Sequence, residues 1–93
     1  MSIEVRIPAV MRSNTAGQAT AQCTGDTVGT VLDDLIAQFP GIGDVLFGDT
    51  KTLHKYVNIY LDADDIRYVG GLDAKIGEAK ELTILPAVAG GSE

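Results

Sequence analysis

One stretch limits what this chain can fold into more than any other. Between Val28 and Phe39 the apolar residues Val28, Val31, Leu32, Leu35, Ile36 and Phe39 recur at steps of three and one. That spacing is one face of an α-helix, with Asp33, Asp34 and Gln38 read onto the solvent side. Gly25-Asp26-Thr27 stands just ahead of it, and Thr27 or Asp26 can accept from the free amides of the first turn. Pro40-Gly41 ends it. Burying such a face is worth roughly 1.5–3 kcal/mol per large side chain, the largest stabilising term visible in the chain. The helix therefore needs a broad apolar partner surface, and the remaining segments must supply it.

Most of them read as strands. Ile3, Val5 and Ile7 alternate with Ser2, Glu4 and Arg6, and Pro8 closes that segment. Met11–Gln18 is rich in Asn, Thr, Gly and Gln and reads as a hairpin loop. Ala19, Ala21 and Cys23 alternate with Thr20, Gln22 and Thr24, giving a second strand antiparallel to the first. After the helix, Ile42, Val45, Leu46 and Phe47 suggest one short extra turn that plugs the end of the core. Gly48 to Lys55 reads as a polar loop, and Tyr56–Leu61 as a strand rich in aromatic and β-branched residues. An acidic turn, Asp62-Ala63-Asp64-Asp65, leads into a short strand Ile66–Val69, broken by Gly70-Gly71. Leu72–Ile76 reads as a single helical or 3₁₀ turn, Gly77–Glu81 as a polar turn, and Leu82–Leu85 as a last strand ended by Pro86. The expected fold is α+β, a mixed sheet of about five strands with one main helix packed across it.

Size and charge narrow the function. Ninety-three residues make one small domain. Thirteen acids against seven bases leave a net charge of −6, which argues against nucleic acid and against an anionic membrane surface, and suits basic protein partners. A single cysteine excludes an intramolecular disulfide and cysteine-rich metal sites. The N-terminus MSIEVRIPAV lacks the apolar run of a signal peptide and no segment approaches a membrane span, so a cytoplasmic location is expected.

No set of side chains converges on catalysis. Cys23 alternates with alanines and reads as a small buried hydrophobe. His54, the only histidine, stands beside Lys55 in a polar loop and reads as exposed. Asp62, Asp64 and Asp65 fail the calcium-loop spacing because Ile66 occupies a ligand position. Gly70-Gly71 has no lysine or hydroxyl residue at phosphate-loop spacing. The chain does not read as an enzyme, and no cofactor or metal is expected.

The last residues are different in kind. Beyond Pro86, small residues run to Gly90-Gly91. Two glycines form a thin strip able to thread a narrow channel and bring a backbone carbonyl to another protein's site. Leu85-Pro86-Ala87-Val88-Ala89-Gly90-Gly91, with Leu82-Thr83-Ile84 before it, resembles the C-terminus of the ubiquitin-like sulfur carriers, the ThiS/MoaD family. It is most similar to the CysO type within that family. Val5-Arg6-Ile7-Pro8, Gly25-Asp26-Thr27-Val28-Gly29, His54–Tyr60 and Arg67–Leu72 share the likeness, which extends over nearly the whole chain.

The resemblance implies a β-grasp domain over residues 1–86 and a flexible tail over 87–93. It implies a sulfur carrier whose Gly91 carboxylate is adenylated by an E1-like adenylyltransferase/sulfurtransferase and becomes a thiocarboxylate. Gly90, Ala89 and Val88 give the tail access to partner active sites, with Leu85 as a further anchor or as core. In the CysO type the sulfur acceptor is a pyridoxal-phosphate-dependent cysteine synthase, and a JAMM-type zinc metalloprotease cleaves the carrier–cysteine adduct. Ser92 and Glu93 follow Gly91 here, so the carboxylate must first be freed by cleavage between Gly91 and Ser92, an expected task for a JAMM-type protease. The alternatives are a ubiquitin-like modifier joined to proteins through Gly91, the small subunit of a molybdopterin synthase, or an interaction module with an inert tail.

Overall fold

A computed structural model describes residues 2–47 and 57–86. The alternating N-terminal segments become β1 (Ser2–Arg6) and β2 (Thr20–Thr24), paired antiparallel with Ile3 opposite Cys23 and Val5 opposite Ala21. These four side chains are buried on one face, together with Ile7. α1 (Val28–Gln38) follows, then α2 (Gly41–Phe47), β3 (Val57–Leu61), β4 (Asp64–Asp65) and β5 (Glu81–Pro86). The sheet is ordered β2-β1-β5-β3-β4. β5 runs parallel to β1, with Val5 opposite Leu82, and antiparallel to β3, with Ile59 opposite Ile84. The last strand among the described residues thus lies in the middle of the sheet.

α1 covers the inner face as its periodicity predicts. Val28, Val31, Leu32 and Leu35 are fully buried, while Ile36 and Phe39 are partly buried against the same core. α2 adds Ile42 and Leu46 to that core, and at seven residues it is longer than the single turn expected there.

The start of α1 is held by an exchange of hydroxyl bonds. The Thr30 amide donates to Thr27 Oγ1 (3.2 Å), while Thr30 Oγ1 accepts from the amides of Asp26 (3.0 Å) and Thr27 (2.9 Å). This is a capping box with threonine in place of the usual glutamate. A short antiparallel contact adds to it: the Val28 amide donates to the Ala74 carbonyl (3.0 Å) and the Ile76 amide to that of Asp26 (2.9 Å). Segment 71–76 is thereby tied to the helix entrance and buries Ala74 and Ile76.

Three segments depart from the sequence reading. Met11–Gln18 is not simply a loop, because residues Ala9–Thr15 form a 3₁₀ helix with Met11 and Thr15 buried. The Thr15 hydroxyl donates to the Gln18 carbonyl (2.9 Å) inside the fold, a use of threonine that polar composition does not reveal. The strand expected at Ile66–Val69 is displaced onto Asp64–Asp65, within the presumed acidic turn, and Ile66–Tyr68 is a 3₁₀ turn. The cause is Asp65, whose Oδ1 accepts from the Arg67 amide (2.9 Å) and turns the chain as Ile66 enters the core. Finally, Glu81 opens β5 rather than belonging to the turn before it, and Pro86 is the last residue of that strand. Proline is tolerated there at a strand end.

Candidate functional site

β5 sets where the chain leaves the sheet. Its inner residues Leu82 and Ile84 are buried, and its outer residues Glu81, Thr83 and Leu85 lie on the face opposite α1. Leu85 is 43% exposed, which assigns it to that open face and not to the core. Register places Asn58 beside Leu85 and Tyr60 beside Thr83, while Arg6 Nη1 meets Glu81 Oε1 at 3.0 Å. Pro86 pairs with Val57 at the start of β3. The described chain therefore reaches its C-terminal end beside an open sheet face, on a strand anchored on both sides.

Gly91, with Gly90, Ala89, Val88 and Ser92, lies outside the described residues, as do His54 and residues 48–55, where a polar loop is expected from the sequence. Among the described residues, no group of three or more His, Cys, Asp or Glu side chains is disposed to hold a metal ion. The acidic residues of the β3–β4 turn have other work. Asp62 Oδ1 accepts from the amides of Lys80 and Glu81, both at 3.1 Å, and so joins the turn to the start of β5. Asp65 forms a two-point pair with Arg67, with Nη2 to Oδ2 at 2.7 Å and Nε to Oδ1 at 3.2 Å. Hydrogen bonds from the Arg67 side chain and amide hold the Asp65 carboxyl below its ordinary range.

Cys23 is fully buried. Desolvation, with Asp34 nearby, pushes its thiol up to about 11, while a weak hydrogen bond from Gln38 acts the other way. A thiol in that state is a poor nucleophile at neutral pH, in keeping with its reading as a small hydrophobe. Gly70 and Gly71 have φ values of +123° and +64° and turn the chain into segment 71–76. An added Cβ on Gly70 would sit 3.3 Å from Ala74 Cα.

One polar arrangement lies beyond the sequence reading, which placed Asp34 and Gln38 simply toward solvent. Both reach the edge of β2: Asp34 Oδ2 accepts from the Thr24 amide (2.8 Å), and Gln38 Nε2 donates to the Gln22 carbonyl (2.9 Å). Their separation by four positions on α1 is the only sequence signal that they act together.

This architecture is that of a small β-grasp domain whose described side chains offer no catalytic set and whose last strand leads toward a Gly-Gly sequence. The model of the ThiS family matches residues 5–91, and the chain belongs to that family of ubiquitin-like sulfur carriers, which are carriers and not enzymes. It is 43% identical to the sulfur carrier protein CysO of Mycobacterium tuberculosis, over 98% of this chain and 100% of that one. Among solved structures it is similar to the crystal structure of the Amycolatopsis orientalis BexX/CysO complex, with a TM-score of 0.86 and 38% identity, covering 96% of this chain and 99% of that chain. It is also similar to the small archaeal modifier protein 1 of Methanosarcina acetivorans, with a TM-score of 0.81 and 31% identity, covering 97% and 96% of the two chains. No helix among the described residues is long and apolar enough to cross a membrane.

Proposed function

We propose that this protein carries sulfur as a thiocarboxylate on Gly91. The observation that carries the reading is the extent of the family match, which runs from residue 5 and stops at Gly91, two residues before Glu93. In this reading residues 1–86 are the docking body and 87–93 the strip presented to partners. Cleavage between Gly91 and Ser92, by a JAMM-type zinc metalloprotease, frees the Gly91 carboxylate. A carboxylate is ionised at neutral pH and resists nucleophiles, so it needs activation. An E1-like enzyme supplies this by joining it to the AMP portion of ATP with loss of pyrophosphate. Hydrosulfide from the sulfur source then attacks the acyl carbon, AMP leaves, and the thiocarboxylate remains. Gly90 has no side chain to obstruct that carbonyl, and in this reading Gly90, Ala89 and Val88 give the segment access to partner active sites.

The acceptor in this reading is a pyridoxal-phosphate-dependent cysteine synthase or another sulfur-accepting synthase, in line with the 43% identity to CysO. The BexX/CysO complex is a similar carrier bound to another protein, which supports a role that brings this carrier to a partner protein. Intact mass spectrometry tests the sequence of events. Incubation with the protease, activating enzyme, ATP and a sulfur source is expected to remove Ser92-Glu93 and then replace one oxygen by sulfur. A mass that never changes overturns the reading.

The likeness to a small archaeal modifier protein favours a second reading, conjugation of Gly91 to lysines of other proteins. It predicts higher-mass conjugates on an immunoblot of cells that vanish when Gly91 is changed. Their absence, with thiocarboxylate formed, assigns the chain to sulfur transfer alone.

A further inference from the structure

The edge of β2 is where this fold is open to pairing. The Ile7 amide donates to the Ala19 carbonyl at 2.8 Å, so odd-numbered residues of β2 turn their peptide groups toward β1 and even-numbered ones turn them outward. β2 ends the sheet order, and its sequence Thr-Ala-Gln-Cys-Thr carries no charge. An uncharged, outward-facing strand edge is a template for a further strand. The opposite edge is protected differently, since β4 is two residues long and both are aspartates.

Among the outward groups of the β2 edge are the Gln22 carbonyl and the Thr24 amide. These are the two atoms that a residue of a parallel neighbouring strand would engage, and an antiparallel neighbour centred on Gln22 also needs the Gln22 carbonyl. Gln38 and Asp34 occupy them, at 2.9 and 2.8 Å. The two side chains are also within reach of each other, Gln38 Nε2 to Asp34 Oδ2 at 3.4 Å. One carboxylate and one amide thus reproduce the acceptor and donor of a peptide unit.

We propose that Asp34 and Gln38 form a side-chain clasp that closes β2 to strand addition, and that the occupant it holds off is β2 of a second copy of this chain. Self-pairing fits the edge because two uncharged copies meet without repulsion, although the molecule as a whole bears −6. The clasp leaves the open sheet face and the C-terminal end of β5 available to partners while keeping the carrier monomeric.

Sedimentation of the full chain tests this. Wild type is expected to stay monomeric. The double variant D34A/Q38A, folded by circular dichroism, is expected to move toward twice the monomer mass as concentration rises. Adding Q22K, which sets two lysines against each other in the paired edge, is expected to restore the monomer. A folded D34A/Q38A that stays monomeric at every concentration overturns the proposal, as does a dimer insensitive to Q22K. Amide hydrogen exchange on wild type gives a test that needs no variant. Thr24 is expected to exchange much more slowly than Gln22, whose amide faces the same edge outside the clasp; equal rates overturn the proposal.

Discussion

At the scale of single residues, two positions carry measurable consequences. Gly25 sits so close to the helix entrance that a Cβ there would lie 2.6 Å from Thr30 Oγ1 and 2.8 Å from the Val31 amide nitrogen. One contact is to backbone, which cannot swing aside. Gly25→Ala is therefore expected to destabilise the fold by about 1–3 kcal/mol, read from urea melts. Cys23 supplies the second. Its thiol is raised from 9.0 to about 11 in the folded state, so the folded protein holds a proton that the unfolded chain has released at intermediate pH. The associated stability is complete below pH 9 and is lost as pH rises toward 11. Denaturation midpoints are expected to fall across that interval in wild type and less in Cys23→Ala. A thiol reagent near neutral pH is expected to modify Cys23 only after denaturant is added. The place of Cys23 was legible from its alternation with alanines, whereas the influence of Asp34 on it was not, because no local pattern links positions 23 and 34.

At the scale of elements, α1 was the most legible part because its periodicity, breaker and cap all agree. Its entrance makes a graded prediction. Thr27→Ala removes one acceptor and is expected to cost about 1 kcal/mol. Thr30→Ala leaves the Asp26 and Thr27 amides without their acceptor and is expected to cost at least as much, about 1–2 kcal/mol. Thr30→Ser retains the hydroxyl and is expected to lie near wild type, all three being read by thermal or urea unfolding. The two 3₁₀ elements that escaped the sequence reading, Ala9–Thr15 and Ile66–Tyr68, share one physical cause. Thr15 and Asp65 direct their segments through side-chain to backbone bonds, so a threonine- or aspartate-rich stretch that looks like solvent loop becomes a 3₁₀ helix or a sharp turn. Hydrophobic pattern registers which residues are buried, but not which polar ones do the turning.

For the whole molecule, the five-stranded α+β fold was readable from the order of segments, whereas the pairing of β1 with β5 is a contact between the two ends of the chain that no local period encodes. The proposed role of Gly91 rests on the resemblance, since Gly90-Gly91 alone is too short a pattern to define chemistry. The single core makes unfolding global. Leu35 is fully buried among the residues joining α1 to the sheet, and Leu35→Asp is expected to abolish cooperative folding, seen as loss of the thermal transition. The position of β5 between β1 and β3 has a mechanical consequence. A partner that grips the chain beyond Pro86 and pulls along the strand loads the ladders to β1 and β3 in shear, so that their bonds resist together rather than opening one at a time. An edge strand would meet the same force with one ladder instead of two. β5, after which the sequence runs to Gly90-Gly91, is thus the strand best placed to be tugged without unravelling the rest.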